Sequence, residues 1–366
     1  MMKVYFFVHP HAPAAQSAYE HGIIALAEGF AECGVEFYGN INYWESVPGS
    51  QRYLITRDDS ISYSDCDVVI FSSEIYNHKR LDLLPKELFQ SRRNYKLIFI
   101  DSSDIILEEK KYITPGQYPE LRKVDLVLKS HFCSKHSYPN NFSPWQFGLT
   151  NRMIGALSPR PFKDRSHSVL VNYRSKHQLR DLAENRFMQT VYSIYEKDDV
   201  SDDLNENHQS LQDQHYWMLT GRRHYQSYYR RLGGSKVCAV FGGFLQTKIS
   251  ERATLSHRLI RKLDSHINFL KYDRLLQFDS WRFWESLASG CLTIHADIDK
   301  YGVLLPEMPV NGEHYFGVDF SDLHASRNNF LQSDRHESIA INGRNWVIQN
   351  YSPEAVARRF LKMISG

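Results

Sequence analysis

No stretch of this sequence reaches the ~18 consecutive apolar residues that a helix needs to cross a bilayer, so no transmembrane helix is expected. The apolar run Val4–Val8 is cut short by His9 and Pro10, too soon for a secretory signal and without a cleavage site. Cysteine is scarce. Cys33, Cys66, Cys133, Cys238 and Cys291 are odd in number and widely spaced, with no C-x-x-C; they read as buried thiols of a reducing cytosol. Charge of one sign is not in excess either: 44 Lys and Arg face 42 Asp and Glu, net +2, which argues against a dedicated nucleic-acid binder. Peripheral membrane contact stays compatible with this balance, since a local basic patch would not show in it. Two phosphate fingerprints are also missing. No G-x-G-x-x-G follows the first apolar run, where His9-Pro-His-Ala-Pro-Ala-Ala-Gln16 stands instead, and there is no Walker A lysine motif.

The chain of 366 residues has room for two domains. It is 42% hydrophobic and 23% charged, the composition of a globular protein. Its 17 His, 22 Tyr, 21 Phe and 6 Trp suit polar-aromatic clefts.

The first half alternates. Lys3–Val8 reads as a buried strand, Ser17-Ala-Tyr-Glu20 as a capping box, and Ile23, Leu26, Ala27 and Phe30 as one helical face. Gly34 stands at a helix C-cap, and Val35–Tyr38 resumes a strand. Further strand-length runs are Asp67–Phe71, Lys96–Ile100 and Val124–Leu128, each followed by polar residues. After the proline-studded stretch Pro144–Pro161 a second series begins: Ser168–Asn172, Val237–Phe241 and Cys291–His295. The acidic segment Glu196–Asn207 reads as an exposed loop. A last helix starts at Ser352-Pro353, with Val356, Phe360 and Met363 on its apolar face. The fold class is therefore α/β, two Rossmann-like domains facing across a cleft, with a C-terminal helix closing the chain. The domains span 1–150 and 151–366, and the last helix, 352–365, is free to pack back on the first.

The most informative stretch runs from Gln277 to Asp299. Trp281, Trp284, Leu287 and Ala288 fall on one helical face and are expected in the core; Arg282, Glu285, Ser286 and Ser289 fall on the other. A helix N-terminus with an Arg in its first turn suits a phosphate, and a carboxylate one turn later can accept both hydroxyls of a ribose. The plain alternative is an i,i+3 surface pair between Arg282 and Glu285. Upstream, Gly242-Gly243 ends a strand and permits close backbone approach.

The order Y-x-x-x-L-x-x-S-K from Tyr228, strand, Gly loop, then R-x-x-E-x-L-A-x-G-C-L from Arg282 and a strand, resembles the donor domain of GT-B glycosyltransferases, closest to the exostosin-like and related bacterial branches. The matching segment, Tyr228 to about Asp297, covers roughly a fifth of the chain. The resemblance implies a sugar-nucleotide donor, UDP- or GDP-linked, in the C-terminal half, a glycan or glycolipid acceptor in the N-terminal half, and no essential metal or other cofactor. It implies that Glu285 holds the ribose, that Arg282 and the Ser280–Trp281 backbone lie near the diphosphate, and that Arg174 and Lys176 neutralise it. With the reducing cytosol that the cysteines suggest, the expected setting is cytoplasmic, including the inner face of the membrane, in surface or capsular polysaccharide or other glycan synthesis. One position departs from the pattern. Many retaining members carry a second glutamate eight residues before the first, and here that position is Gln277, so the stereochemistry stays open.

Breaking a sugar–phosphate bond without a metal requires cations and amides to take up the developing charge. An inverting reaction also needs a base for the acceptor hydroxyl. His11, His9 and Asp101, just past first-domain strands, are the candidates, with Asp104 beside them. A metal role would fall to Asp297 and Asp299, a D-x-D, or to Asp101 and Asp104. Trp44, Tyr43 and Trp145 either stack on an acceptor sugar or fill the core. The competing function is a non-catalytic sugar- or nucleotide-binding scaffold of the same shape.

Overall fold

The computed structural model describes residues 2–10, 18–103, 119–173, 178–201, 207–247 and 272–365. The first half carries β1 (Lys3–Phe7), β2 (Glu36–Gly39), β3 (Tyr43–Glu45), β4 (Tyr53–Ile55), β5 (Val68–Ser72), β6 (Lys96–Asp101), β7 (Leu126–Lys129) and β8 (Phe142–Pro144). Six of them form one parallel sheet in the order β2-β1-β5-β6-β7-β8, with β3 and β4 pairing apart as an antiparallel hairpin.

Side-chain alternation gives this sheet two buried faces. Val4, Phe6, Ile70, Ile98 and Ile100 join the larger core, while Phe7, Val69, Phe71, Leu97 and Phe99 join a second one. Helix His21–Glu32 covers the first face and ends as its sequence suggests. Gly34 takes φ +68°, the Val35 N–H reaches the Phe30 carbonyl at 3.0 Å, and the Gly34 N–H reaches that of Ala31 at 3.3 Å. These are the two hydrogen bonds of a Schellman cap. The helix start differs from expectation. Ser17 lies outside the described residues, and the Glu20 carboxylate does not turn back along the helix. It is buried, accepting the His9 backbone N–H at 3.0 Å and the Ser72 hydroxyl at 2.5 Å.

The second half carries β9 (Ser166–Val171), β10 (Glu196–Asp199), β11 (Ser235–Ala239), β12 (Phe244–Thr247), β13 (Tyr272–Leu276), β14 (Leu292–Ala296) and β15 (Phe316–Val318). Its parallel sheet runs β10-β9-β11-β14-β15, and β12 pairs β13 antiparallel. β10 corrects the exposed-loop reading of the acidic segment. Glu196 pairs with Ser168 and Asp199 with Val171, so the backbone closes the sheet edge while the charged side chains stay at the surface. Charges on an edge strand discourage further pairing, so the acidity is consistent with the strand. Residues 202–206 of that segment lie outside the described residues.

The halves are stitched together at several points. Phe132 and Ser134 exchange backbone hydrogen bonds with Leu304 and Gly302. Helix Pro353–Ser365 crosses back onto helix His21–Glu32, burying Val356, Phe360 and Ile364; Met363 stays only partly covered. The two helices meet at Gly29, where a Cβ would collide with the Pro353 carbonyl. Tyr43, Trp44 and Trp145 are all buried, so they fill the core.

Between the halves, the Asn151 N–H donates to the buried Glu28 carboxylate at 2.7 Å. Burial pushes the Glu28 carboxyl up to about 8, from an ordinary 4.5, although Asn151 and Arg152 pull it down. Between those two values the folded protein holds a proton that the unfolded chain has lost. Stability therefore falls as pH rises through this window, by ~4–5 kcal/mol in all for this one group. Glu28→Gln, which keeps an acceptor oxygen and removes the titration, is expected to stabilise the protein near pH 8 and change little near pH 5. Urea unfolding at the two pH values checks this; an equal effect at both would defeat it.

Candidate functional site

The C-terminal strand ends of both sheets border one cavity of about 530 Å³. From the first half, Glu74, Asn77, Ser102 and Ser103 line it; from the second, Asn172, Tyr228 and the run from Asp279 to Glu285, without Phe283 and Trp284.

The second-half wall is built on helix Trp281–Ser289. Its C-terminus is fixed by Gly290 at φ +74° and by the buried Arg165, whose guanidinium donates to the Ser289 carbonyl at 2.7 Å. A cation there complements the helix dipole. The N-terminus opens on the cavity, and the Ser280 side chain does not cap it. Its direction is set by the buried Asp279. That carboxylate accepts the Phe147 N–H at 2.7 Å with one oxygen and the Trp284 indole N–H at 2.5 Å with the other. A residue of the first half thus anchors the helix start, 132 positions away in sequence. No local pattern marks Asp279, and the sequence reading missed it.

Glu285 is 4% exposed and its Oε1 accepts the Tyr229 hydroxyl at 2.7 Å. Arg282 does not pair with it. Arg282 donates instead to the Asn172 side-chain oxygen at 3.1 and 3.2 Å, so the surface-pair alternative fails. Trp281 departs from its expected place in the core. It is half-buried on the cavity wall, with the Arg152 guanidinium 5.3 Å from its ring centre and the His21 ring at 5.5 Å. Trp284, Leu287 and Ala288 are buried as expected.

The glycine pair is pressed against protein. A Cβ on Gly243, at φ +88°, would collide with the Leu276 carbonyl, and one on Gly242 would come within 3.1 Å of the Phe278 carbonyl. The Gly242 N–H donates to the buried His295 Nε2 at 3.1 Å. These glycines let β12 and β13 seat the 276–280 segment that leads into the helix.

No protein-family model and no curated protein matches the chain. Solved structures do. Sucrose-phosphate synthase from Thermosynechococcus elongatus is similar at 11% identity and TM-score 0.50, over 100% of this chain and 98% of its own. The chain has the GT-B fold. An α-glucosyltransferase in complex with UDP-glucose and abasic-site DNA matches at TM-score 0.49 and 9% identity, covering 100% and 99% of the two chains. AviGT4, a glycosyltransferase of avilamycin A biosynthesis, matches at 0.48 and 10%, covering 99% and 96%.

Within this GT-B frame the other expected residues fall in different places. His11, Asp104, Arg174 and Lys176 lie outside the described residues. His9 is buried with its ring stacked on His78, centres 4.3 Å apart, and burial together with His78 lowers it to about 4, so it is neutral at pH 7. Asp101 is 1% exposed, its carboxylate 3.0 Å from the equally buried Lys129 ammonium and accepting the Ser103 hydroxyl at 2.5 Å. Asp297 accepts the Lys300 N–H and the Asn311 amide, and with Lys300 and Asn311 it borders a separate hollow of the second half.

Among the described residues, the first-half carboxylate on the cavity is Glu74, in the first turn of the short helix Ser73–Asn77, with Ser72 as its cap. Asn77 donates to it at 2.9 Å and His78 Nε2 lies 3.4 Å away. Burial raises its pKa, against the pull of Asn77 and His78. It follows the β5 run directly, and that position past a parallel strand was the only signal that could have found it.

Proposed function

We infer that this protein is a metal-independent glycosyltransferase moving a sugar from a nucleoside-diphosphate donor to a hydroxyl of a glycan or glycolipid acceptor. The observation that carries this reading is one cavity lined both by the N-terminus of the helix that bears Arg282 and Glu285, from the second half, and by Glu74, from the first.

Glu285 would accept the ribose hydroxyls. Arg282 and the helix N-terminal amides would meet the diphosphate, joined by Arg174 and Lys176. As the bond from sugar C1 to the phosphate oxygen breaks, the electron pair stays on the diphosphate, and these positive groups would stabilise it. The acceptor oxygen bonds to C1 and its proton passes to Glu74, whose raised proton affinity suits a base. A role in surface polysaccharide synthesis, at the inner face of the membrane, is the setting we favour. No helix among the described residues is long and apolar enough to cross a membrane.

Calorimetry with UDP and GDP, each with and without EDTA, tests the donor site. One of them is expected to bind whether or not EDTA is present. Arg282→Ala is expected to weaken it by roughly 10- to 100-fold, the worth of one charged hydrogen bond, with little change in Tm. Full affinity in both Arg282→Ala and Glu285→Ala would remove the donor-site assignment. Binding lost to EDTA would replace the metal-free reading. Release of nucleoside diphosphate in the presence of an acceptor separates the enzyme from a binding scaffold.

A further inference from the structure

Behind Glu285 runs a chain of buried polar groups that the transfer chemistry does not use. Arg152, 4% exposed, sits in helix Asn151–Ala156, where the chain passes from one half to the other. Its Nη1 lies 3.0 Å from the Tyr229 hydroxyl and 3.0 Å from His224 Nδ1. The Tyr229 hydroxyl is in turn 2.7 Å from Glu285 Oε1.

The proton directions in this chain are forced. A guanidinium can only donate. The Tyr229 oxygen therefore accepts from Arg152, and its one proton goes to Glu285 Oε1. His224 Nδ1 likewise accepts, which puts that ring's proton on Nε2, the nitrogen 3.8 Å from Asp213. Burial and the Arg152 charge lower His224 to about 3, in keeping with a neutral ring. Glu285 Oε1 is thus occupied from behind, and Oε2 takes no hydrogen bond from the described residues. No carboxylate lies within ion-pair distance of the Arg152 guanidinium among the described residues, and its link to Glu285 runs through the Tyr229 phenol.

We propose that Arg152 and Tyr229 are positioning residues that lock the Glu285 carboxylate in one orientation, with Oε2 presented to the cavity, and so give the site its preference for ribose over 2′-deoxyribose. This rests on Glu285 being the ribose acceptor. The lock comes from the crossing segment, which is tied to the first half by Asn151 and Glu28.

The test is calorimetry on the full chain with UDP and 2′-deoxy-UDP, and with GDP and 2′-deoxy-GDP, for wild type and for Tyr229→Phe, Arg152→Met, Arg152→Lys and Glu285→Gln. Wild type is expected to favour one ribonucleotide over its deoxy form by roughly tenfold or more, the worth of one charged hydrogen bond. Tyr229→Phe and Arg152→Met are expected to bring that ratio close to one by weakening the ribonucleotide only, and Arg152→Lys to restore part of it. A merely structural role would weaken both nucleotides alike and leave the ratio. If Glu285→Gln keeps the wild-type ratio, or wild type shows none, the ribose reading itself fails. If Glu285→Gln abolishes the ratio while folded Tyr229→Phe keeps it, the positioning role alone is overturned. Tyr229→Phe removes a single oxygen, so the readout survives if the Arg152 variants do not fold.

Discussion

Glu74→Gln is expected to lower kcat by roughly 10²- to 10⁴-fold while nucleoside-diphosphate affinity stays within about threefold of wild type. The substitution keeps the shape and one acceptor oxygen for the Asn77 amide, and removes the carboxylate charge and with it the ability to take a proton. The split between kcat and binding matters because Glu74 comes to the cavity from the first half, whereas Glu285 and Arg282 come from the second. The pH profile adds a second readout. Burial shifts the Glu74 carboxyl upward, so a base form is gained only as pH rises past the ordinary carboxylate range. The rising limb of kcat/KM should follow that raised value in wild type and vanish from the residual activity of the variant. An unchanged kcat would send the acceptor proton elsewhere, to the leaving phosphate or to another side chain.

Lys129→Met is expected to cost about 3–5 kcal/mol of folding stability, the penalty for leaving one member of a buried ion pair alone. Asp101 and Lys129 are register partners at the ends of β6 and β7, both 1% exposed and 3.0 Å apart. They underlie Ser102 and Ser103, which line the cavity. Asp101→Asn/Lys129→Met should recover much of the loss, because no unpaired charge then stays buried. Urea unfolding of wild type, Lys129→Met, Asp101→Asn and the double variant checks this. A double variant as unstable as the two single losses added together would mean that the pair is not coupled.

Much of the scaffold was legible because burial on both faces leaves short apolar runs. β1, β5, β6 and β14 stood out for this reason, and Gly34 and Gly290 marked helix ends by a backbone requirement that glycine meets at least cost. β10 was hidden because an edge strand satisfies its backbone in the sheet and its side chains in water, so it carries the composition of a loop. The antiparallel pair β12–β13 was equally silent. At the site, Arg282 and Glu285 could be singled out because they share one helix. Asp279 and Arg152 could not, since each takes its meaning from partners far away in sequence, and Glu74 carried only the weak signal of its place directly past β5. Trp281 shows the limit of periodicity. Spacing put it on the apolar face, but the first turn of that helix projects past the core into the cavity.

The return of helix Pro353–Ser365 to helix His21–Glu32 has a bearing on biogenesis. During translation the first sheet emerges complete, with one of its covering helices still lacking the partner that seals Phe30 and Phe360 together. That partner is synthesised only after every strand of the second sheet. The first half therefore waits with an apolar stripe open. A nascent chain arrested before Pro353 should remain protease-sensitive around helix His21–Glu32, whatever the state of the second sheet.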